Sequence, residues 1–397
     1  MKIYISDLKK MCCFALPTII ILAQWISIAG IKASWILSIC LLIYLIQKHS
    51  WTFRYDNKTI LITLVVVLVP IINFKLGISN GFDSSLYISL ITGMILYENI
   101  TLMSEESMEY FWRGLLLSCI VFALWGVFEI LTGRYFISTN TAFTMRNNVF
   151  GLHYPIVAFP NTNDLVQYLC GLFPLCFYKY IKKEPIKMCI TSLLVLYVIY
   201  NADARMAMIL LFAGIVAPIF IKLAFVKNYN SILKIFIVII VSILLVFIID
   251  MKTGIFSTIY EKFLRVSTKA DYFLIRNGLY IELLNFAKNN PMGGFGSSYL
   301  VSTFPPHNLF LFVLVDYGWF VCLAFLAWLI KCLMQLSRLV KNDIDNLLNE
   351  AIMASLMLFP LFSMISSCNE QRKVVWIVLA IIVRYSQKKL MLNKKGL

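Results

Sequence analysis

The sequence predicts an all-α polytopic membrane protein with about twelve transmembrane helices. Of the 397 residues, 60% are hydrophobic and only 14% are charged, and the mean hydropathy is +0.83. A soluble chain of this length cannot hide so much apolar surface from water. The apolar runs also lack the alternating pattern of a membrane β-barrel, so each span is expected to be helical.

Apolar stretches of spanning length follow one another along most of the chain. The predicted spans are 11–29, 33–47, 59–74, 84–101, 109–131, 164–181, 187–203, 206–225, 231–250, 308–331, 350–367 and 373–390. The first span lacks the small-residue cleavage pattern of a signal peptide, so it is expected to stay in the membrane. The ten cysteines lie in or beside apolar runs without a Cys-x-x-Cys pair, which predicts small core residues. Residues 1–397 are predicted to form one membrane domain.

The basic residues are unevenly distributed between alternate connections. When the N-terminus is placed in the cytoplasm, most of the 35 basic residues also fall on that side. Lysine and arginine concentrate in the cytoplasmic loops of membrane proteins, so both termini are predicted to be cytoplasmic. Glu105, Glu106 and Glu109 disagree, because they place an acidic patch on the same side. Acidic residues count little in this rule.

Two long connections, 132–163 and 251–306, are both predicted to be loops on the outer face. Connections in compact folds are usually about 4–6 residues long, so these two are expected to have a function. Each contains arginines among aromatic and apolar residues, as an amphipathic or docked segment needs. The larger loop holds more basic than acidic residues. An electropositive cap suits an anionic ligand that arrives at the membrane surface.

Arg205, Arg276 and His307 are all predicted to lie at the outer mouth of the bundle. An isolated arginine near a helix end often only reaches towards the interface, and an isolated histidine at a helix start is usually a satisfied polar residue. Three such residues at one mouth favour a site. Arginines bind phosphate oxygens bidentately and stabilise a leaving diphosphate, and histidine can accept a proton from a sugar hydroxyl. The inferred reaction is glycosyl transfer from a polyprenyl diphosphate, with no metal or other cofactor.

Several short motifs follow one another over roughly residues 155–335. They are Phe159-Pro160-Asn161 before a span, Arg205 before an apolar helix, Arg276 in Arg-x-x-x-Tyr, the glycine-rich stretch from Asn290 to Gly296, and His307-Asn308 with Gly318 ten positions after the asparagine. In order and spacing they resemble the O-antigen ligase and polymerase family. The chain departs from the family at Ala204, where serine or threonine commonly precedes the arginine.

The resemblance implies a membrane glycosyltransferase of the GT-C type in the bacterial inner membrane, with its site on the periplasmic side and partly in the loop 251–306. Its donor and acceptor would be undecaprenyl-diphosphate-linked oligosaccharides, in contact with membrane lipid, and a chain-length regulator protein is a candidate partner. Arg205 and Arg276 would bind the donor diphosphate, and His307 would act as the base or orient the acceptor hydroxyl. The candidate substrate-binding residues are Arg265, Arg146, Asn308, Asn161 and Tyr280.

The sequence favours a polymerase, which joins repeat units, over a ligase, which transfers the finished glycan to lipid A-core. The preference rests on three features: the short segment from Gly296 to His307, the apolar Leu309-Phe-Leu-Phe run that follows, and the Pro160-Asn161 stretch. A flippase or transporter is less favoured, because the centres of the predicted spans are almost uncharged and no inverted repeat is visible. Nucleic-acid binding is not expected, because the cytoplasmic bias explains the net charge of +15.

Overall fold

The structure of the chain is a computed structural model. It describes residues 5–23, 27–28, 31–48, 68, 72, 75, 84–136, 153–159, 161–202, 204–226, 270–293, 308–343, 346–365 and 372–393. Within this part the chain is helical apart from one antiparallel pair of two-residue strands. Three helices, Glu105–Thr132, Met206–Phe225 and Leu309–Asn342, are long and apolar enough to cross a membrane, and shorter apolar helices accompany them. The predicted class, a helical membrane protein, is confirmed.

The elements follow the predicted spans closely. The helices are α1 (Ile5–Leu22), α2 (Ala33–Lys48), α3 (Ser84–Thr101), α4 (Glu105–Thr132), α5 (Thr162–Tyr180), α6 (Pro185–Asn201), α7 (Arg205–Val226), α8 (Ala270–Asn289), α9 (Leu309–Asn342), α10 (Leu347–Met357), α11 (Phe359–Phe362) and α12 (Lys373–Asn393), and the strands are β1 (Ser27–Ile28) and β2 (Ile31–Lys32). The predicted spans 59–74 and 231–250 lie outside the described residues, apart from positions 68 and 72. The total of twelve spans therefore stays a prediction.

One predicted loop contains a regular element. Helix α8 occupies the middle of the connection 251–306. Leu283 and Ala287, one helical turn apart, are buried, whereas Ile281, Glu282 and Leu284 are exposed. The helix packs against α9. The docked segment expected in this connection is therefore a helix.

Helix α5 forms the centre of the bundle. Almost all of its residues are buried, and it contacts α4, α6, α7, α10 and α12. Its Tyr168 ring packs edge-on against Phe122, and the Tyr168 hydroxyl lies 2.6 Å from the Ser118 hydroxyl. The buried hydroxyl of Tyr168 on this central helix therefore finds a partner on α4.

The outward faces of the helices are apolar. Large side chains such as Ile186, Phe212 and Phe320 are more than two-thirds exposed. On a water-soluble protein such a surface would promote aggregation, whereas in a bilayer it faces lipid tails. Five of the nine described cysteines are buried and none of the nine forms a disulfide. Cys12, Cys40 and Cys189 instead lie on the outward surface, so the prediction of core cysteines holds only in part.

At one end of the bundle, the three glutamates that disagreed with the charge rule are paired with basic residues. Lys10 Nζ lies 2.9 Å from Glu106, Lys179 Nζ lies 2.8 Å from Glu109, and Arg384 Nη2 lies 2.9 Å from Glu105. We call this the ion-pair end. It joins the starts of α1 and α4 to the ends of α5 and α12, all of which the sequence assigns to one side.

Arg384 joins two helices at the ion-pair end. Besides its contact with Glu105, Nη1 donates to the carbonyl oxygens of Thr101 and Met103, where α3 ends. Hydrogen bonds to charged groups contribute about 1.5–3 kcal/mol each. Arg384→Ala is therefore expected to lower the free energy of unfolding by about 2–3 kcal/mol, measured as thermal unfolding in detergent. Arg113→Ala is the control and should cost less than about 0.5 kcal/mol, because its contact with Glu109 is long and exposed. Equal losses would contradict the prediction.

Candidate functional site

Helix α9 is broken at Gly318 and folds back on itself. Phe310 and Phe325 would be about 22 Å apart in a straight helix, yet their ring centroids are 5.7 Å apart. Likewise, Cys322 Sγ lies 3.8 Å from the carbonyl oxygen of Phe310. The helix therefore has a short arm, 309–317, and a long arm, 319–342, that run in opposite directions. The prediction of one continuous span over 308–331 is wrong.

The break depends on a close contact between two glycines. Gly318 has φ +82° and ψ 177°, and Gly293, which follows α8, has φ +79°. A Cβ atom on Gly318 would lie 2.4 Å from the carbonyl oxygen of Pro291 and 2.9 Å from the amide nitrogen of Gly293. The amide of Trp319 donates to the Pro291 carbonyl at 3.0 Å, and its indole donates to the Ala287 carbonyl at 3.0 Å. These contacts hold the end of α8, and the turn at Gly293 that follows it, against the break in α9.

The long arm leads from the break towards the ion-pair end. Its Cys332 contacts Ser386, which follows Arg384 closely on α12. Gly318 therefore lies at the opposite end of the bundle. The short arm returns from Gly318 by nine residues, a rise of about 13 Å. Asn308 consequently lies inside the bundle, between its two ends.

The side chain of Asn308 caps the short arm. Its Oδ1 accepts hydrogen bonds from the amides of Phe310 (3.0 Å) and Leu311 (3.2 Å). This satisfies donors that a helix start otherwise leaves unpaired. The positive end of the short arm thus points into the interior. Phe310 beside it packs against Phe359 of α11, with ring centroids 6.3 Å apart.

At the other end of the molecule from the ion pairs, α5 and α12 begin side by side. Asn161 caps α5 by accepting from the amide of Asp164 at 3.1 Å. Asp164 is buried, and its Oδ1 lies 3.0 Å from Nε of Arg372, directly before α12. Gln167, one turn further along α5, donates to the carbonyl of Phe362 at 3.1 Å. Phe362 packs against Phe359, and Phe359 packs against Phe310. A continuous set of contacts therefore joins Gln167 to the short arm.

Arg205 begins α7 at the level of Asp164. The two helices touch where a Cβ on Gly214 would lie 3.0 Å from Pro174, and the Tyr178 hydroxyl donates to the Ile215 carbonyl. Gly214 is nine residues after Arg205 and Pro174 is ten after Asp164, so both starts lie about 14–15 Å from this contact. Helix α7 also contacts α11. We call the end that contains Asp164, Arg205, Gly318 and Arg372 the helix-start end.

A buried carboxylate fixes the chain beside this site. Glu129, in the last turn of α4, is fully buried, and its Oε2 accepts from the amides of Ile156 (2.7 Å) and Val157 (2.8 Å). Val157 has φ +57°, which is rare for a β-branched residue. Glu129 therefore holds the end of the connection 132–163 in a conformation that the backbone alone does not favour.

The structure describes only some of the predicted site residues. Arg205 is the first residue of α7, Arg276 lies in α8, and Tyr280 lies half-buried on α8 against the core. Asn161 and Asn308, predicted to bind substrate, cap helices. Residues His307, Arg265 and Arg146 lie outside the described residues. Their roles stay predictions.

Sequence reasoning missed the Asp164–Arg372 pair and several buried charges. Asp164 lies three positions after Asn161 of the Phe159-Pro160-Asn161 motif. Its partner Arg372 is more than two hundred positions away, and no local pattern joins the two residues. Asp316, Glu350 and Lys373 are buried within helices. Glu350 and Lys373 are the first residues of the predicted spans 350–367 and 373–390, so of these three only Asp316 departs from the expectation that the centres of the spans are almost uncharged. Comparisons with protein families, curated proteins and solved structures found no match to this chain.

Proposed function

We propose that the chain polymerises undecaprenyl-diphosphate-linked repeat units into O-antigen or a related surface polysaccharide at the periplasmic face. The observation that carries the proposal is the broken helix α9. Its short arm sets Asn308 inside the bundle, about 13 Å from the end where α7 begins with Arg205. A basic mouth above an inward-pointing helix start suits a substrate with phosphates at the interface.

In the proposed reaction, Arg205 and Arg276 bind the diphosphate of the donor. The acceptor hydroxyl oxygen attacks the anomeric carbon while the bond from that carbon to the phosphate oxygen breaks. His307 takes the proton of the hydroxyl, and the diphosphate leaves on its carrier lipid with its charge held by the arginines. Bidentate arginine contacts stabilise the leaving group without needing a proton transfer to it.

Transport of the same lipid-linked saccharide is a second candidate function. Broken helices and buried ionisable groups are typical of transporters, and here α9 is broken while Asp316 and Glu350 are buried. We prefer the polymerase because the basic helix starts gather at one end, whereas ion pairs tie the other end together. A glycosyl transfer at one membrane surface needs access from one end of the bundle, whereas transport needs access from both ends.

The proposal predicts the lipopolysaccharide profile of a strain that lacks this gene. The core should carry a single repeat unit, and only the native gene should restore the ladder of longer products on a gel. Arg205→Ala, Arg276→Ala and His307→Ala should each lower polymer yield at least tenfold, because one charge-assisted contact contributes about 1.4 kcal/mol or more. Arg338→Ala, an exposed change far along the long arm of α9, is the matched control.

The other outcomes separate the alternatives. A core with no repeat, together with polymer on the carrier lipid, would identify a ligase. A core with no repeat, together with single repeat units trapped on the cytoplasmic leaflet, would identify a transporter. If the three alanine variants are expressed and restore the ladder like the native gene, the assignment of these residues is wrong.

A further inference from the structure

Arg372 is held at one edge of its guanidinium group. Nε lies 3.0 Å from Asp164 Oδ1, and the Arg372 side chain is 16% exposed against 2% for Asp164. Neither Nη1 nor Nη2 has an acceptor among the residues that the structure describes. The carboxylate pairs electrostatically with the Nε edge of the guanidinium, without a hydrogen bond, and the two terminal nitrogens remain available. This is the part of arginine that binds two oxygens of one phosphate.

Asp164 is well placed to fix this orientation. It lies in the first turn of α5, where the helix dipole favours a negative charge, and its own amide is bonded to the Asn161 cap. The buried Gln167 ties the next turn of α5 to α11. The carboxylate is consequently attached to a rigid element, and Arg372 is held against it.

Arg372 occupies an unfavourable position for a cation unless an anion is near. It directly precedes α12, and the buried Lys373 follows it, so two positive charges face the positive end of the helix dipole. Asp164 balances one of them. Lys373 is engaged within the protein, and the Arg372 side chain, although mostly buried, retains 16% of its exposure.

We propose that Arg372, oriented by Asp164, is a further binding residue for a phosphate group of a lipid-linked diphosphate at the helix-start end. This inference rests on the proposed function for the identity of the lipid, and it adds a third guanidinium, from a different part of the chain, to those of Arg205 and Arg276. Asp164 is a positioning residue in this site. Arg372 directly precedes α12, whereas Arg205 begins α7 and Arg276 lies in α8.

The test is binding of farnesyl diphosphate to the purified full-length chain in detergent. Arg372→Lys keeps the charge but removes the fork, and it should raise the Kd at least tenfold. Inorganic diphosphate should be affected in the same way, whereas phosphatidylglycerol should compete poorly with either. Arg338→Lys, on the exposed surface of α9, is the matched control and should leave the Kd unchanged.

A double variant separates binding from structural pairing. Asp164→Arg with Arg372→Asp exchanges the two charges, so it should recover the thermal stability that Arg372→Asp alone loses, but not the affinity for farnesyl diphosphate. Full recovery of affinity, or an unchanged Kd for Arg372→Lys, would overturn the assignment. Equal competition by phosphatidylglycerol would also overturn it, because the site would then recognise any anionic lipid headgroup.

The proposed function can fail independently of this site. If Arg372→Lys weakens binding but deletion of the gene leaves the polysaccharide ladder intact, the diphosphate site stands and the polymerase assignment falls. If the ladder depends on His307 while Arg372→Lys binds like the native chain, the polymerase stands and this inference falls.

Discussion

Gly318→Ala is expected to lower the free energy of unfolding by more than about 3 kcal/mol and to abolish function. Gly318 has φ +82° and ψ 177°, a conformation that essentially only glycine adopts, and this strain alone costs about 1–3 kcal/mol for other residues. The new Cβ would also lie 2.4 Å and 2.6 Å from backbone atoms of Pro291 and Met292, which cannot move without displacing α8. Thermal unfolding followed by size-exclusion chromatography in detergent measures the loss.

Gly278 provides the matched control for this substitution. It lies on the exposed side of α8, and a Cβ there meets no atom within 4 Å. Gly278→Ala should raise stability by about 0.5–1 kcal/mol, because alanine is the better helix former. The two alanine variants should therefore change stability in opposite directions. A Gly318→Ala protein as stable as the native chain would show that the fold-back does not depend on this glycine.

Glu129→Ala is expected to cost about 3–5 kcal/mol, because it removes the shared acceptor of two buried amides. Those amides, of Ile156 and Val157, are 2.7 Å and 2.8 Å from Oε2, and Val157 holds an unfavourable φ of +57°. Without the carboxylate, the segment is expected to relax away from α4. Hydrogen exchange should therefore accelerate at these two amides before it does in α5.

Two further variants define the origin of that effect. Glu129→Gln keeps an acceptor oxygen without the charge and should lose less stability than the alanine variant. Glu184→Ala removes an exposed glutamate paired with Lys187, and it should cost less than about 1 kcal/mol. If exchange at Ile156 and Val157 is the same in Glu129→Ala and native protein, the carboxylate does not hold this segment.

Hydropathy predicted the positions of most helices to within a few residues, because each apolar run must satisfy its backbone hydrogen bonds internally. The same property cannot distinguish a continuous helix from a broken one. Both arms of α9 are largely apolar, and the break needs the backbone at Gly293, which is distant in sequence, to leave room for Gly318. Glycine is common in membrane helices, so neither residue predicts the contact alone.

The candidate site was accessible from the sequence only where its residues lie in local motifs. Arg205 and the Asn161 and Asn308 caps stand at span boundaries, where charge and hydrogen-bonding capacity are expected to concentrate. Arg372 also stands at such a boundary, but its meaning depends on Asp164, which is brought near only by packing of α5 against α12. Long-range pairing of this kind has no signal in a single sequence.

The fold-back of α9 has a consequence for the order in which the protein assembles. The short arm is too short to cross a bilayer, and its Phe310 packs on Phe359, which the ribosome makes later. Arg372 and the start of α12 are made later still. During synthesis, α4 to α7 can pack before Phe359, the packing partner of the short arm, has been made. The helix-start end is therefore finished last, and a chain that stops before α10 inserts most of its helices but lacks Arg372 and the Phe359 ring against which the short arm packs.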